Sequence, residues 1–135
     1  MADVTQTAAN VHANGATTQA SRVQFGETVT NGNVVYLKSD TKYWKCDADA
    51  SEEAATAAGI VISANVADGY GYIQTSGPID VGGTLTAGVP YVASDTPGGI
   101  KPAADLGAGD YISHLGYATA ADKLELAIKN HGVSL

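Results

Sequence analysis

In the segment CDADASEE, Asp47, Asp49 and Ser51 have the spacing of the first three oxygen ligands of an EF-hand loop. Calcium in such a loop needs a glycine at the sixth position and a glutamate at the twelfth. This chain has Glu52 and Ala58 there. The same residues suit a helix start better. Asp49 followed three residues later by Glu52 resembles a capping box, and Glu52 and Glu53 fall in a first turn, where the helix dipole favours acids. His12, His114 and His131 are far apart in sequence, and no His-x-His or Cys-x-x-Cys spacing marks a zinc site. Cys46 is the only cysteine. Its one mid-domain base is His114, and nothing in the sequence supplies a third group to orient a Cys–His pair. DGYGYI lacks the third glycine of a dinucleotide fingerprint and leads into a strand; TPGG lacks the Gly-Lys-Ser/Thr of a P-loop. Asp40, Asp68, Asp80, Asp95, Asp105, Asp110 and Asp122 stand mostly alone in turn-like segments, where aspartate bonds to nearby backbone. We therefore expect no catalytic residues, no cofactor, no metal and a role other than that of an enzyme.

Composition narrows the classes further. The 135 residues suit one domain, and 44% are hydrophobic, enough for one sizeable core. The formal net charge is −7, and the seven Lys and Arg are scattered, so no basic patch is available to track phosphates and no nucleic-acid partner is expected. No apolar run approaches the ~18 residues of a membrane span. The opening MADVTQTAAN has neither a basic nor an apolar region of a secretory signal. With a lone cysteine, this suggests synthesis in a reducing cytosol.

The elements follow from the punctuation. Residues 1–21 are Ala, Thr, Asn, Gln and Gly with few large apolar side chains, and read as an extended arm that needs a partner surface to become ordered. Residues 22–135 read as a β domain. RVQFGETVT alternates, and Asn31-Gly32 marks a turn. Strands 33–38 and 42–46 flank Ser39-Asp40-Thr41, with Tyr36 and Trp44 placed to pair across the hairpin. A short helix is expected over 51–58, stopped by Gly59. Strand 59–64 is apolar on both faces; strand 70–75 follows Asp68-Gly69 and ends at a bend at Gly77-Pro78. Strands 89–93 and 98–102 form a hairpin, and DYISHLGYAT and KLELAIKN form the last pair around AAD. Leu124, Leu126 and Ile128 alternate with Lys123, Glu125, Ala127 and Lys129, the cleanest two-residue period in the chain. Nine or ten short strands predict an all-β fold: a small β-barrel, β-tulip or sandwich with one short helix and an extended N-terminal arm.

Two stretches carry a family resemblance. GETVTNGNVVYLKSDTKYWKCDAD resembles the opening of small tailed-phage virion proteins, and GGTLTAGVPYVASDTPGGIKPAADLGAGDYISHLGYATAADKLELAI resembles their second half. The leader ADVTQTAANV is similar to the Thr/Ala-rich starts of such proteins. The family is that of capsid decoration, or cement, proteins, including head-fiber-like variants. The resemblance implies a β-barrel or β-tulip domain on the outside of a tailed-phage head, commonly a homotrimer bound to the major capsid protein, stabilising the shell and assembled in the host cytoplasm. The alternative is a head- or tail-fiber module that adheres to a host surface.

On this reading Val4, Thr5, Thr7, Val11, Thr17 and Thr18 of the arm are candidate capsid or subunit contacts. Tyr70, Tyr72, Tyr91 and Tyr117 are candidate trimer-interface or exposed aromatics. No membrane partner is expected. The alternation of the last strand also makes a prediction about its inward face. A buried unpaired charge costs several kcal/mol, so Leu126→Asp is expected to unfold the domain, checked by urea denaturation. A cooperative, soluble variant would place Leu126 on the wrong face.

Overall fold

A computed structural model describes residues 3–13 and 18–134. Among them are ten strands and no α-helix: β1 (Val11–Ala13), β2 (Gln19–Gln24), β3 (Val34–Leu37), β4 (Tyr43–Lys45), β5 (Gly59–Ser63), β6 (Tyr70–Val81), β7 (Pro90–Ala93), β8 (Ile100–Pro102), β9 (Tyr111–Ala120) and β10 (Lys123–Ser134). Two single 3-10 turns cover Ala8–Asn10 and Ala103–Asp105. The fold is all-β, one curled antiparallel sheet in the order β4-β3-β5-β6-β10-β9-β7-β8, with β1 and β2 also pairing with β6.

The twelve-residue β6 organises this sheet. Its first half lies between β2 and β5, and its second half between β10 and β1. Gly77 lies midway at φ 93°. The bend expected at Gly77-Pro78 is present, but it curves the strand without ending it. The carboxamide of Gln74, fully buried, holds the curve. Its Nε2 donates toward the carbonyls of Ser76, Gly77 and Pro78 at 3.1, 3.1 and 2.9 Å.

Two cores form on either side of the curled sheet. Val23, Phe25, Val29, Val35, Val61 and Ile73 fill the smaller one. Its wall closes where the chain leaves β2: Phe25 bridges Tyr43, and Gly26 N–H donates to the Tyr43 carbonyl at 2.8 Å. The larger core gathers Val34, Tyr36, Ile60, Ile79 and Val81 against Tyr91, Ile100, Leu115, Leu124 and Leu126. Successive strand residues point to opposite faces. Val34 and Tyr36 therefore enter the large core and Val35 the small one, while Ile60 and Val61 divide the same way. This explains the unbroken apolar run of β5. Tyr36 does pair with Trp44 across β3 and β4, and Leu124 and Leu126 do face inward.

The helix expected over 51–58 is reduced to one turn. Ala55 N–H reaches the Ser51 and Glu52 carbonyls, and Ser51 Oγ, not Asp49, accepts from Ala54 N–H at 3.1 Å. Ala54, Ala55 and Ala57 are all buried against neighbouring structure, so tertiary packing overrides the weak propensity of a short alanine run. Gly59 is no helix stop. It opens β5, and a Cβ there would lie 2.7 Å from the Gln74 carbonyl, so the glycine permits β5 to approach β6.

Residues 3–13 find their surface on this same chain. Val4 N–H donates to the Ile100 carbonyl at 2.8 Å and Thr7 N–H to the Gly82 carbonyl at 2.6 Å. Gln6 Nε2 bridges the Gly32 and Val81 carbonyls at 3.0 and 2.8 Å. A Cβ at Gly82 or Gly83 would strike the Thr7 or Thr5 carbonyl at 2.4 Å, so this glycine pair is what admits the arm. The boundary drawn between residues 21 and 22 falls inside β2.

Gln74 supplies a donor where an isosteric carboxylate has none. Gln74→Met is expected to cost about 1–3 kcal/mol, the usual penalty for stranding buried hydrogen-bonding groups. Gln74→Glu is expected to cost more, because it turns a buried anion toward three carbonyl oxygens. Urea denaturation midpoints of the two variants check the order.

Candidate functional site

Three connections and the start of the arm converge beside β8: the loop at 47–49, the β7–β8 turn at 94–99, the turn at 107–110, and Asp3. Backbone bonds tie them together. Ala48 N–H donates to the Ser94 carbonyl at 3.0 Å, Tyr111 N–H to the Ala48 carbonyl at 2.8 Å, and Gly98 N–H to the Cys46 carbonyl at 2.8 Å. Ser94 Oγ donates to Asp3 Oδ1 at 2.6 Å and accepts from Thr96 N–H at 3.0 Å. The β7–β8 tip is therefore docked at Gly98, which is buried, while Asp95, Thr96 and Pro97 face solvent.

Lys101 lies at the centre of this junction, its side chain 5% exposed. Its ammonium is 2.6 Å from Asp110 Oδ2, a carboxylate as buried as itself, and 3.4 Å from the more exposed Asp95 Oδ1. Asp110 Oδ2 also accepts from Gly107 N–H at 2.9 Å. Burial pushes the Asp110 carboxyl up, but the Lys101 hydrogen bond, the Gly107 N–H and the Lys101 charge together bring it below the ordinary carboxylate range. Burial likewise pushes Lys101 down, and the hydrogen bonds and charges of Asp110 and Asp95 outweigh it, so the ammonium is held above its ordinary value. Asp49, Asp95 and Asp110 bring carboxylate oxygens within 4.8 Å of one another, the one such trio of metal-ligating side chains among the described residues. Lys101 pairs with two of the three, Asp95 and Asp110. Asp47 is raised by burial and then by its hydrogen bond with Asp49.

The EF-hand-like spacing dissolves into local turns: Asp47 Oδ1 accepts from Asp49 N–H at 3.3 Å, and Ser51 serves as a cap. Cys46 is 1% exposed, and burial pushes its thiol up to about 12, so it is a neutral packing group at physiological pH. His114 does not pair with it. It lies on the outer side of β9, where its ring centre is 5.4 Å from that of His131.

The arm residues are spread over different environments. Val4 packs against the large core and Val11 is buried. Thr5 and Thr7 are exposed and, with His12, Asp80 and Asp122, line an open polar cleft of about 730 Å³. Thr18 is half-buried, and Thr17 lies outside the described residues. Tyr70 and Tyr72 are 49% and 46% exposed on one face of β6, with the Arg22 guanidinium 4.5 Å above the Tyr70 ring. Tyr117, 51% exposed, stands apart on β9. Tyr91 is not a surface aromatic. β7 runs between β8 and β9, so its inward side chains enter the large core; Tyr91 is 3% exposed, and its hydroxyl accepts from Thr86 N–H at 2.9 Å.

No protein-family model matches the sequence, and no curated protein is similar to it. The chemistry of this chain is therefore read from its own groups. Sequence reasoning missed both the Lys101–Asp110 pair and the His114–His131 neighbours. The first had no signal, since both positions read as ordinary turn and strand residues. The second had a partial one: a hairpin turning at 120–122 puts the stretches around 114 and 131 on neighbouring strands, but the register shifts within it decide that the two rings meet.

The buried pair gives a stability prediction with a definite sign. The lowered Asp110 contributes stability that is present above the unfolded carboxylate pKa and lost as pH falls through the folded one. The raised Lys101 contributes stability that is present below the unfolded lysine pKa and lost as pH rises through the folded one. Asp110→Ala is expected to cost about 3 kcal/mol at pH 7, because it leaves the buried ammonium only the longer contact to the half-exposed Asp95, and Lys101→Met/Asp110→Leu to recover most of it. Thermal melts of the single and double variants check this; equal losses would show that packing, not charge, is responsible.

Proposed function

We propose that this chain is a structural virion protein, a decoration or cement protein on the outside of a tailed-phage head, acting as a homotrimer against the major capsid protein. The motif order that resembles that family supports the reading. So does one observation about where the chain uses its polar side chains. The buried polar residues Gln74, Ser94, Lys101, Asp110 and Ser113 all hold strand curves and turns within the fold. Binding functions are left to the surface: the exposed polar side of the arm and the Tyr70–Arg22–Tyr72 strip on β6 and β2.

The physical logic of cementing needs only such surfaces. A protein that binds the assembled shell, and not its free subunits, stabilises the shell by mass action. Each trimer contacts several shell subunits, so its second and third contacts form at high effective concentration, and individually weak contacts give firm retention.

Adhesion to a host glycan is the second reading, and the aromatic strip is the observation that favours it, because an exposed tyrosine face with a nearby guanidinium suits sugar stacking. Heating particles with and without the protein tests the first. Cementing requires genome release at a higher temperature in its presence and a copy number set by the threefold positions of the shell. Equal release temperatures, together with binding of the isolated protein to host envelope, would replace the first reading by the second.

A further inference from the structure

His114 and His131 come from opposite strands of the longest hairpin. The register pairs Lys129 with His114 and Asn130 with Ser113. His131 therefore lies diagonally across from His114 on the same face, within reach of a shared ligand. The ring centres are 5.4 Å apart and the planes inclined by 68°. Two imidazoles on one tetrahedral ion have metal–nitrogen bonds of about 2.0–2.1 Å, which puts each ring centre about 3.2 Å from the metal and the two centres about 5.2 Å apart. The observed separation is close to this tetrahedral value, and rotation of the exposed His131 ring out of its edge-on contact would turn a nitrogen of each ring to one ion.

The surroundings suit the same conclusion. Among the described residues neither ring is hydrogen-bonded to a protein group, so the one lone-pair nitrogen of each neutral ring is available to a ligand. The rings border a shallow depression of about 340 Å³. Gly116 and Ala127 form part of its lining and leave space there, and Pro90 and Tyr117 provide apolar edges. His114 is shifted below its ordinary value by burial, then by His131 and Lys129, which favours the neutral form that coordinates metals. Lys129 is exposed on a long stem that can turn outward, and its charge weakens but does not block the site.

We propose that His114 and His131 form a two-imidazole site for a late first-row divalent metal, Cu²⁺, Ni²⁺ or Zn²⁺, completed by water. Imidazole nitrogen selects these ions over the oxygen-seeking Mg²⁺ and Ca²⁺. The site lies where the hairpin most needs a clamp. β6 supports β10 only at residues 124–127, and the β9–β10 register shifts between Leu126 and Lys129 and again between Asn130 and Ser134. A shared ion ties the strands across this irregular stretch and stabilises the folded chain in proportion to its occupancy.

Isothermal titration of the full chain with CuCl₂, NiCl₂, ZnCl₂ and MgCl₂ tests the site. Cu²⁺ is expected to bind most tightly and Mg²⁺ not at all. His114→Ala and His131→Ala should each weaken Cu²⁺ binding by at least the ~10-fold that loss of an outer-shell partner alone costs. His12→Ala should leave it unchanged and Lys129→Ala should tighten it. Binding should fall away at pH 5 as protons compete for the rings. His131 is exposed near the end of β10, so its variant tests the site without threatening the core. Nitrogen splitting in the Cu²⁺ paramagnetic resonance spectrum should report two imidazoles. Absence of binding at millimolar metal, or undiminished binding in the His114→Ala/His131→Ala variant or at pH 5, would overturn the proposal.

Discussion

The rest of the sheet is organised around β6, which takes four strand partners, two along each edge. The strand curves where one partner hands over to the next, and on the edge shared by β2 and β1 residues 77 and 78 have no strand partner. The curve falls at Gly77, and the amide of Gln74, drawn into the interior, donates to the carbonyls turned in by that curve. Gln74 Oε1 has no partner among the described residues. A buried amide left half-satisfied costs stability, so its donor side must offset that cost. One polar side chain in a hydrophobic setting thus fixes how far the sheet curls, and the curl produces two cores.

The two cores in turn fix where charge is placed. Because β7 and β8 close the larger core at the far end of the sheet, the loops at 47–49, 94–99 and 107–110 meet there over Lys101. In a chain of net charge −7, a buried lysine surrounded by aspartates acts as an internal counter-ion, so the convergence of loops does not become a site of carboxylate repulsion. Arm and domain are joined at the same place through Asp3 and Ser94. The exposed surface is polar along the arm and aromatic along β6 at Tyr70 and Tyr72.

Much of the strand pattern was legible. The last hairpin announced itself by alternation at Leu124 and Leu126, and the β3–β4 hairpin by Ser39-Asp40-Thr41, where Lys42 N–H donates to Asp40 Oδ1 at 2.9 Å. Both signals are local: a side-chain period of two and an aspartate bonding its own turn. The misreadings share a cause. The alanine run after Ser51 has helix-forming residues, yet a single turn cannot nucleate a helix against tertiary packing. Tyr91 was grouped with the other strand tyrosines because alternation says which residues share a face, not which face is covered. The glycines at 82 and 83 carried no reading of their own in the sequence, while their role is to let an arm from the other end of the chain lie flush.

By itself, the sequence determined the all-β class, the positions of most turns and the inward face of β10, because each is set by neighbours a few residues away. Tertiary structure alone decided that β6 would carry the arm, that Lys101 would be buried against Asp110, that Tyr91 would be covered, and that His114 and His131 would stand side by side. Those outcomes come from contacts between different strands and loops, whether nine positions apart, as for Lys101 and Asp110, or much farther, as for the arm on β6. Each exists only once the sheet has curled, and the curl belongs to the whole fold and not to any segment of it.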